Sequence, residues 1–133
     1  MIDEARVPIT SDPDIVIARQ RGRALASQLE LSSSELTLVA AAISELARNI
    51  LTYARRGEVL LSLVQEGGRR GLVVVARDEG PGIPNVEQAM QDGYSTGTGL
   101  GLGLPGAKRL MDEFEIVSEV GKGTTVIAKK WAR

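Results

Sequence analysis

Apolar residues recur with the period of a helix over residues 15–29 and 36–54, and with the period of strands over much of residues 58–131. Ile15, Ala18, Gly22, Leu25 and Leu29 form one helical stripe. The Ser11-Asp12-Pro13 start ahead of it offers Asp12 as cap and Pro13 as the first helical residue. Ser32 and Glu35 have the spacing of a capping box, which opens a second helix running to about Tyr53 and ended by Gly57. At about 100° per residue, Leu36, Val39, Ile43, Ala47, Ile50 and Ala54 share a face that should meet a sheet. Residues 5–10 read as a short strand, at an edge because of Pro8.

Beyond the second helix, the runs 58–65 and 72–78 form a hairpin across the turn-rich segment 66–71. Residues 85–91 read as a short helix, 93–106 as a flexible loop with six glycines, and 104–113 as a helix with Pro105 in its first turn. The runs 114–120 and 124–131 make a closing hairpin around Gly121-Lys122-Gly123. This order predicts an α/β two-layer sandwich: a mostly antiparallel mixed sheet with helices on one face. No repeat or linker divides it, so residues 1–133 are expected to be one domain.

Composition narrows the function classes. Hydrophobic residues make up 43% and charged residues 25%, which argues against wholesale disorder. A net charge of −1, with both signs mixed along the chain, gives no electrostatic footprint for nucleic acid. No apolar run approaches the ~20 residues of a membrane span, and Met1-Ile2-Asp3-Glu4 does not open a signal peptide. The absence of Cys excludes disulfides and thiolate chemistry and suits the cytoplasm. The absence of His removes histidine bases, histidine metal sites and any phospho-accepting histidine.

Three segments can carry chemistry. Glu45 and Asn49 lie four apart on the second helix, opposite the face expected to meet the sheet. That pattern fits a solvated polar face. It also fits a carboxylate able to take a proton beside an amide oxygen, a hard donor suited to Mg²⁺. Asp78 ends a β-rich run and Glu79-Gly80-Pro81-Gly82 turns at once. This is either an ordinary turn or a carboxylate placed at the sheet's rim, where it could accept the exocyclic amine of adenine.

The run Gly97-Thr98-Gly99-Leu100-Gly101-Leu102-Gly103 leads into a helix N-terminus, where free N–H groups favour phosphate. Gly101–Gly106 matches G-x-G-x-x-G literally, but no strand precedes it and only 27 residues remain after it, so a Rossmann turn is rejected. No Walker motif occurs. Gly121-Lys122-Gly123-Thr124-Thr125 is by itself a hairpin turn.

Taken together, in this order and over nearly the whole chain, these segments resemble the GHKL ATPase/kinase superfamily. Its N box resembles Glu45–Asn49, its G1 box Asp78–Gly82 with Ile83 following, its G2 box Gly97–Gly103, and its G3 region Gly121–Thr125. The resemblance implies the Bergerat fold, ATP and Mg²⁺ as cofactors, and residues 85–103 as an ATP lid. It implies that Asn49 ligates Mg²⁺, that Asp78 binds the adenine amine, and that Gly80 and Gly82 shape the pocket. Thr124 or Thr125 would assist at the adenine.

Within the superfamily, Ile43–Asn49 and Gly103–Phe114 resemble the bacterial serine/threonine kinases that control sigma factors, and among them the stressosome switch kinases of RsbT type. This resemblance implies STAS-domain scaffold proteins as substrates, with Glu45 as general base, and a PP2C-type phosphatase activated on release. The alternatives are an anti-sigma factor kinase that inhibits a sigma factor, or an ATP-gated binding module without significant catalysis. Anti-sigma relatives dimerise, so a homodimer is a further expectation. One departure stands out: anti-sigma relatives carry a lid arginine, whereas residues 85–107 contain no Lys or Arg. Phosphoryl transfer needs positive charge at the equatorial oxygens. Mg²⁺, Arg48, Lys108, Arg109 or the substrate must supply it, which predicts a slow kinase dependent on docking to its scaffold.

Overall fold

The computed structural model describes residues 4–83, 90 and 103–132. The elements run β1 (Glu4–Ile9), α1 (Asp12–Ala26), α2 (Ser33–Tyr53), β2 (Gly57–Glu66), β3 (Arg69–Asp78), α3 (Gly103–Leu110), β4 (Glu113–Glu119) and β5 (Gly123–Trp131). The expected short helix at 85–91 and most of the glycine loop lie outside the described residues.

The five strands pair in the order β1-β2-β3-β5-β4, and every pair is antiparallel. The expectation of a mixed sheet is therefore corrected. β3 and β4 run in the same direction, but β5 lies between them, so no parallel ladder forms among the described residues. The registers carry apolar rows across the sheet: Val7, Val59, Ala76, Val126 and Ile116 form one, and Ala5, Leu61, Val74, Ala128 and Phe114 the next. These rows join Ile15, Ala18 and Leu25 of α1 and Val39, Ile43 and Ala47 of α2 in one core. On the opposite face Leu60, Val73, Val75 and Ile127 are only half-buried. Each fully buried aliphatic side chain contributes about 1.5–3 kcal/mol, so these rows hold the helices to the sheet.

Local chemistry sets the ends. Ser11, not Asp12, caps α1. Asp14 folds back so that its Oδ2 accepts the N–H of Thr10 at 2.9 Å and of Ser11 at 3.2 Å, which starts the helix one residue earlier than Pro13 suggested. The Thr10 N–H and hydroxyl in turn hold the Asp14 carboxyl below its ordinary pKa. The Ser32–Glu35 capping box forms as expected, with Glu35 N–H donating to Ser32 Oγ at 3.1 Å and Ser32 N–H to Glu35 Oε1 at 3.2 Å. Arg55, in the left-handed region at φ 71°, turns the chain out of α2, and Gly57 already belongs to β2. The β2–β3 hairpin closes on Gly67-Gly68, both at positive φ, so its strands run longer than expected. α3 ends at Leu110 because β5 captures the chain beyond it. Asp112 N–H donates to the Lys129 carbonyl at 2.9 Å, its Oδ2 accepts Trp131 N–H at 2.8 Å, and Lys130 pairs with it at 3.7 Å.

Candidate nucleotide site

α2 turns a stripe of four residues toward one cleft: Leu46, Asn49, Ile50 and Tyr53, at the i, i+3, i+4, i+7 spacing of a single helical face. The sheet supplies Ala76, Asp78, Thr124 and Val126. The turn after β3 adds Pro81, Gly82 and Ile83, and α3 closes the side with Leu104. The cleft measures about 430 Å³ including the space open to solvent. Its lining is mostly apolar with a few convergent polar groups, which suits a flat heterocycle held at its edge.

Asp78 is the best-anchored of those groups. Its Oδ1 accepts Gly80 N–H at 2.9 Å and Thr124 N–H at 3.3 Å. Three glycines let the chain close around it. A Cβ at Gly57 or Gly123 would strike the backbone of Arg77 or Asp78, and one at Gly80 would strike Ala54. Gly123 and Gly82 also sit at φ 103° and 79°, where other residues are strained. Gly80 thus shapes the turn from outside the cleft, while Gly82 and Ile83 line it.

Thr124 and Thr125 part company. Thr124 pairs with Asp78 and lines the cleft, whereas Thr125 pairs with Arg77 and Val117 on the opposite face of the sheet. Thr125 is therefore removed from the pocket, because successive strand residues point to opposite faces. Ser118, which sequence reasoning missed, sits opposite Thr124. Its Oγ accepts Ile83 N–H at 2.7 Å and lies 2.8 Å from Thr124 Oγ1, tying the turn after β3 to the last hairpin. Gly121 N–H adds a second tie by donating to the Pro81 carbonyl at 2.8 Å. Tyr53, Leu46 and Ile50 were also missed, though their helical spacing from Asn49 is readable.

Glu45 and Asn49 do not lie on a solvated face. Glu45 is 8% exposed and its Oε1 accepts Arg48 Nη1 at 2.7 Å. The Asn49 Nδ2 is buried without a hydrogen-bond partner among the described residues. A buried amide left in this state costs free energy, and a ligand oxygen in the cleft would relieve it. Among the described residues no three acidic side chains gather around a metal position. Gly103 opens α3; Gly97, Thr98, Gly99, Leu100, Gly101 and Leu102 lie outside the described residues.

Residues 9–130 match the model of the histidine kinase-like ATPase domain. The chain belongs to this family. Its relatives in the family include the serine/threonine-protein kinase RsbT of Bacillus subtilis (strain 168), 48% identical over the full length of both chains. The anti-sigma F factor of Geobacillus stearothermophilus is 38% identical over 120 residues, covering 85% of this chain and 81% of that protein. Among solved structures, the mycobacterial sensor histidine kinase MprB superposes with a TM-score of 0.56 over 99% of each chain at 22% identity, a likeness of fold. The expected superfamily, its sigma-factor branch and the protein-kinase class are thereby borne out, as is an ATPase-type fold. Among the described residues no helix is long and apolar enough to cross a membrane.

Proposed function

We propose that this chain is a cytoplasmic protein serine/threonine kinase that transfers the γ-phosphate of ATP to Ser or Thr of STAS-domain stressosome scaffold proteins. Once released, it activates a PP2C-type phosphatase in a sigma-factor stress cascade. The observation that carries the reading is Asn49 and Asp78 lining one cleft, with Glu45 one turn before Asn49 on α2 though not itself in the lining, in a chain 48% identical throughout to a serine/threonine-protein kinase.

In this reading Asp78 accepts the adenine amine, while Gly82, Ile83 and Thr124 line the base slot. The lid, residues 85–103 with Gly97–Gly103, supplies N–H groups to the phosphates. Asn49 holds Mg²⁺, which when bound neutralises charge on the phosphate oxygens. Glu45 takes the proton of the acceptor hydroxyl as its oxygen bonds to the γ-phosphorus. The bond from that phosphorus to the bridging oxygen breaks, and ADP leaves.

The test is the purified chain with labelled ATP, Mg²⁺ and candidate STAS proteins. Glu45→Ala should abolish transfer and leave nucleotide binding largely intact, and Asn49→Ala should weaken both. Transfer by Glu45→Ala at the parent rate would remove Glu45 from its role. The anti-sigma relatives at 38% identity favour a second reading, a kinase that binds and inhibits a sigma factor, with homodimerisation as in anti-sigma relatives. Co-purification with a sigma factor, without transfer to any STAS protein, would select it.

A further inference from the structure

Glu45, Arg48 and Asn49 occupy positions i, i+3 and i+4 of α2, so all three side chains share one turn. Glu45 and Asn49 each offer an oxygen, and Mg²⁺ takes carboxylates at least as readily as neutral amides. A free carboxylate one turn from Asn49 would therefore compete for the metal that the proposed function assigns to Asn49. A carboxylate drawn onto a dication is a much weaker base and is turned away from the acceptor hydroxyl. Glu45, however, is already engaged by an ion pair. The Arg48 side chain, 44% exposed, reaches back from the rim and holds Oε1 of Glu45 at 2.7 Å, while the Glu45 side chain is only 10% exposed.

We propose that Arg48 is a positioning residue that keeps Glu45 out of the metal's coordination sphere. The inference rests on the proposed kinase reading for the roles of Glu45 and Asn49. The guanidinium occupies one carboxylate oxygen and its fixed charge opposes a dication brought against that group. The other oxygen, Oε2, is left to meet the acceptor hydroxyl. Arg48 thus separates two tasks that neighbouring oxygen donors would otherwise share: proton acceptance at Glu45 and metal binding at Asn49. The pair does little for stability, since an i,i+3 ion pair on a helix is worth about 0.2–0.5 kcal/mol.

The experiment measures ADP affinity by calorimetry with and without Mg²⁺ for the parent, Arg48→Met, Arg48→Lys and the double variant Glu45→Ala/Arg48→Met, with phosphate transfer measured alongside. Freeing a carboxylate to join Asn49 at the metal adds ligand charge, which tightens binding of a hard cation. In Arg48→Met the Mg²⁺-dependent gain in ADP affinity should therefore grow by about tenfold. Affinity for ADP alone should stay within about twofold, and transfer should fall by about tenfold or more. Arg48→Lys, which keeps the charge, should return the Mg²⁺ dependence toward the parent value. Removing Glu45 in the double variant should abolish the extra gain.

Equal Mg²⁺ dependence in Arg48→Met and the parent overturns the inference, as does an extra gain that survives loss of Glu45. If the parent transfers no phosphate to any STAS protein, the kinase reading fails, and the calorimetry still decides the role of Arg48. Should Arg48→Met melt far below the parent, Arg48→Gln carries the same comparison.

Discussion

The Oγ of Ser118 accepts the backbone N–H of Ile83 at 2.7 Å, fastening the turn beyond Asp78 to the edge strand β4. Ser118→Ala leaves that N–H without its partner at the wall of the cleft. The expected cost is about 1–3 kcal/mol, divided between folding stability and nucleotide affinity. Thermal unfolding with and without ADP measures both parts. A variant unchanged in melting temperature and in ADP affinity would show that the tie is dispensable.

Gly123→Ala tests how closely the last hairpin packs on Asp78. The residue sits at φ 103°, and its new methyl would strike the Asp78 carbonyl oxygen and the Glu79 Cα, both backbone. Backbone cannot swing aside as a side-chain tip can, so a loss of about 2 kcal/mol or more is expected. Because the clash falls on the residue that floors the cleft, ADP affinity should fall as well. Gly121→Ala is the control: its φ of 84° is also unfavourable, yet a Cβ there meets open space. It should lose stability but little affinity.

Asp78→Asn keeps an oxygen able to accept Gly80 N–H, so the turn should survive and the melting temperature should change little. What goes is the negative charge and one acceptor toward the ligand. ATP affinity should drop about tenfold or more, equivalent to ~1.4 kcal/mol, and preference for ATP over GTP should narrow. Unaltered discrimination between the two nucleotides would take Asp78 out of base recognition.

Glu58 supplies a pH signature on the sheet face opposite the cleft. Arg77, and after it Arg6, hydrogen-bond its carboxylate and hold its pKa below the ordinary value. A depressed folded-state pKa means stability that is present above the unfolded-state value and lost as pH falls through the folded one. Glu58→Gln should therefore melt lower than the parent at neutral pH, and the gap should close below the ordinary carboxylate range. The gap should be about 1 kcal/mol or less, because Arg6 and Arg77 are 67% and 54% exposed and water screens the pairs. A constant gap from neutral to acid pH would contradict this.

What could be read in the sequence followed the range of the interactions involved. The Ser32–Glu35 box and the β2–β3 turn are settled by neighbours a few residues away; the box lies where the pattern puts it, and the turn falls within the expected 66–71 but takes only Gly67-Gly68. The stripe Ile15, Ala18, Gly22, Leu25 and Leu29 is buried as the helical period requires. Features set by partners far along the chain were not legible. Which threonine enters the cleft depends on the pairing of Thr124 with Asp78, across 46 residues. The absence of a parallel ladder depends on β5 inserting between β3 and β4. Glu45 looked solvent-facing because helical period alone does not reveal that α3 also packs against α2. Ser118 carried no motif; only the cross-strand position opposite Thr124 gives it meaning.

Asp78 is the last residue of β3, the third of five strands in the described sheet, and β3 is paired with β2 along its length and with β5 from Gly71 onward. A strand so placed is expected to exchange its amide hydrogens only when the whole sheet opens. A nucleotide held at its end lowers the population of that open state in proportion to its binding. Amides near Leu72, at the far end of β3 from the cleft, should then be slowed by ADP as much as those beside Asp78. The occupancy of one pocket becomes a property of the hydrogen bonds all along β3.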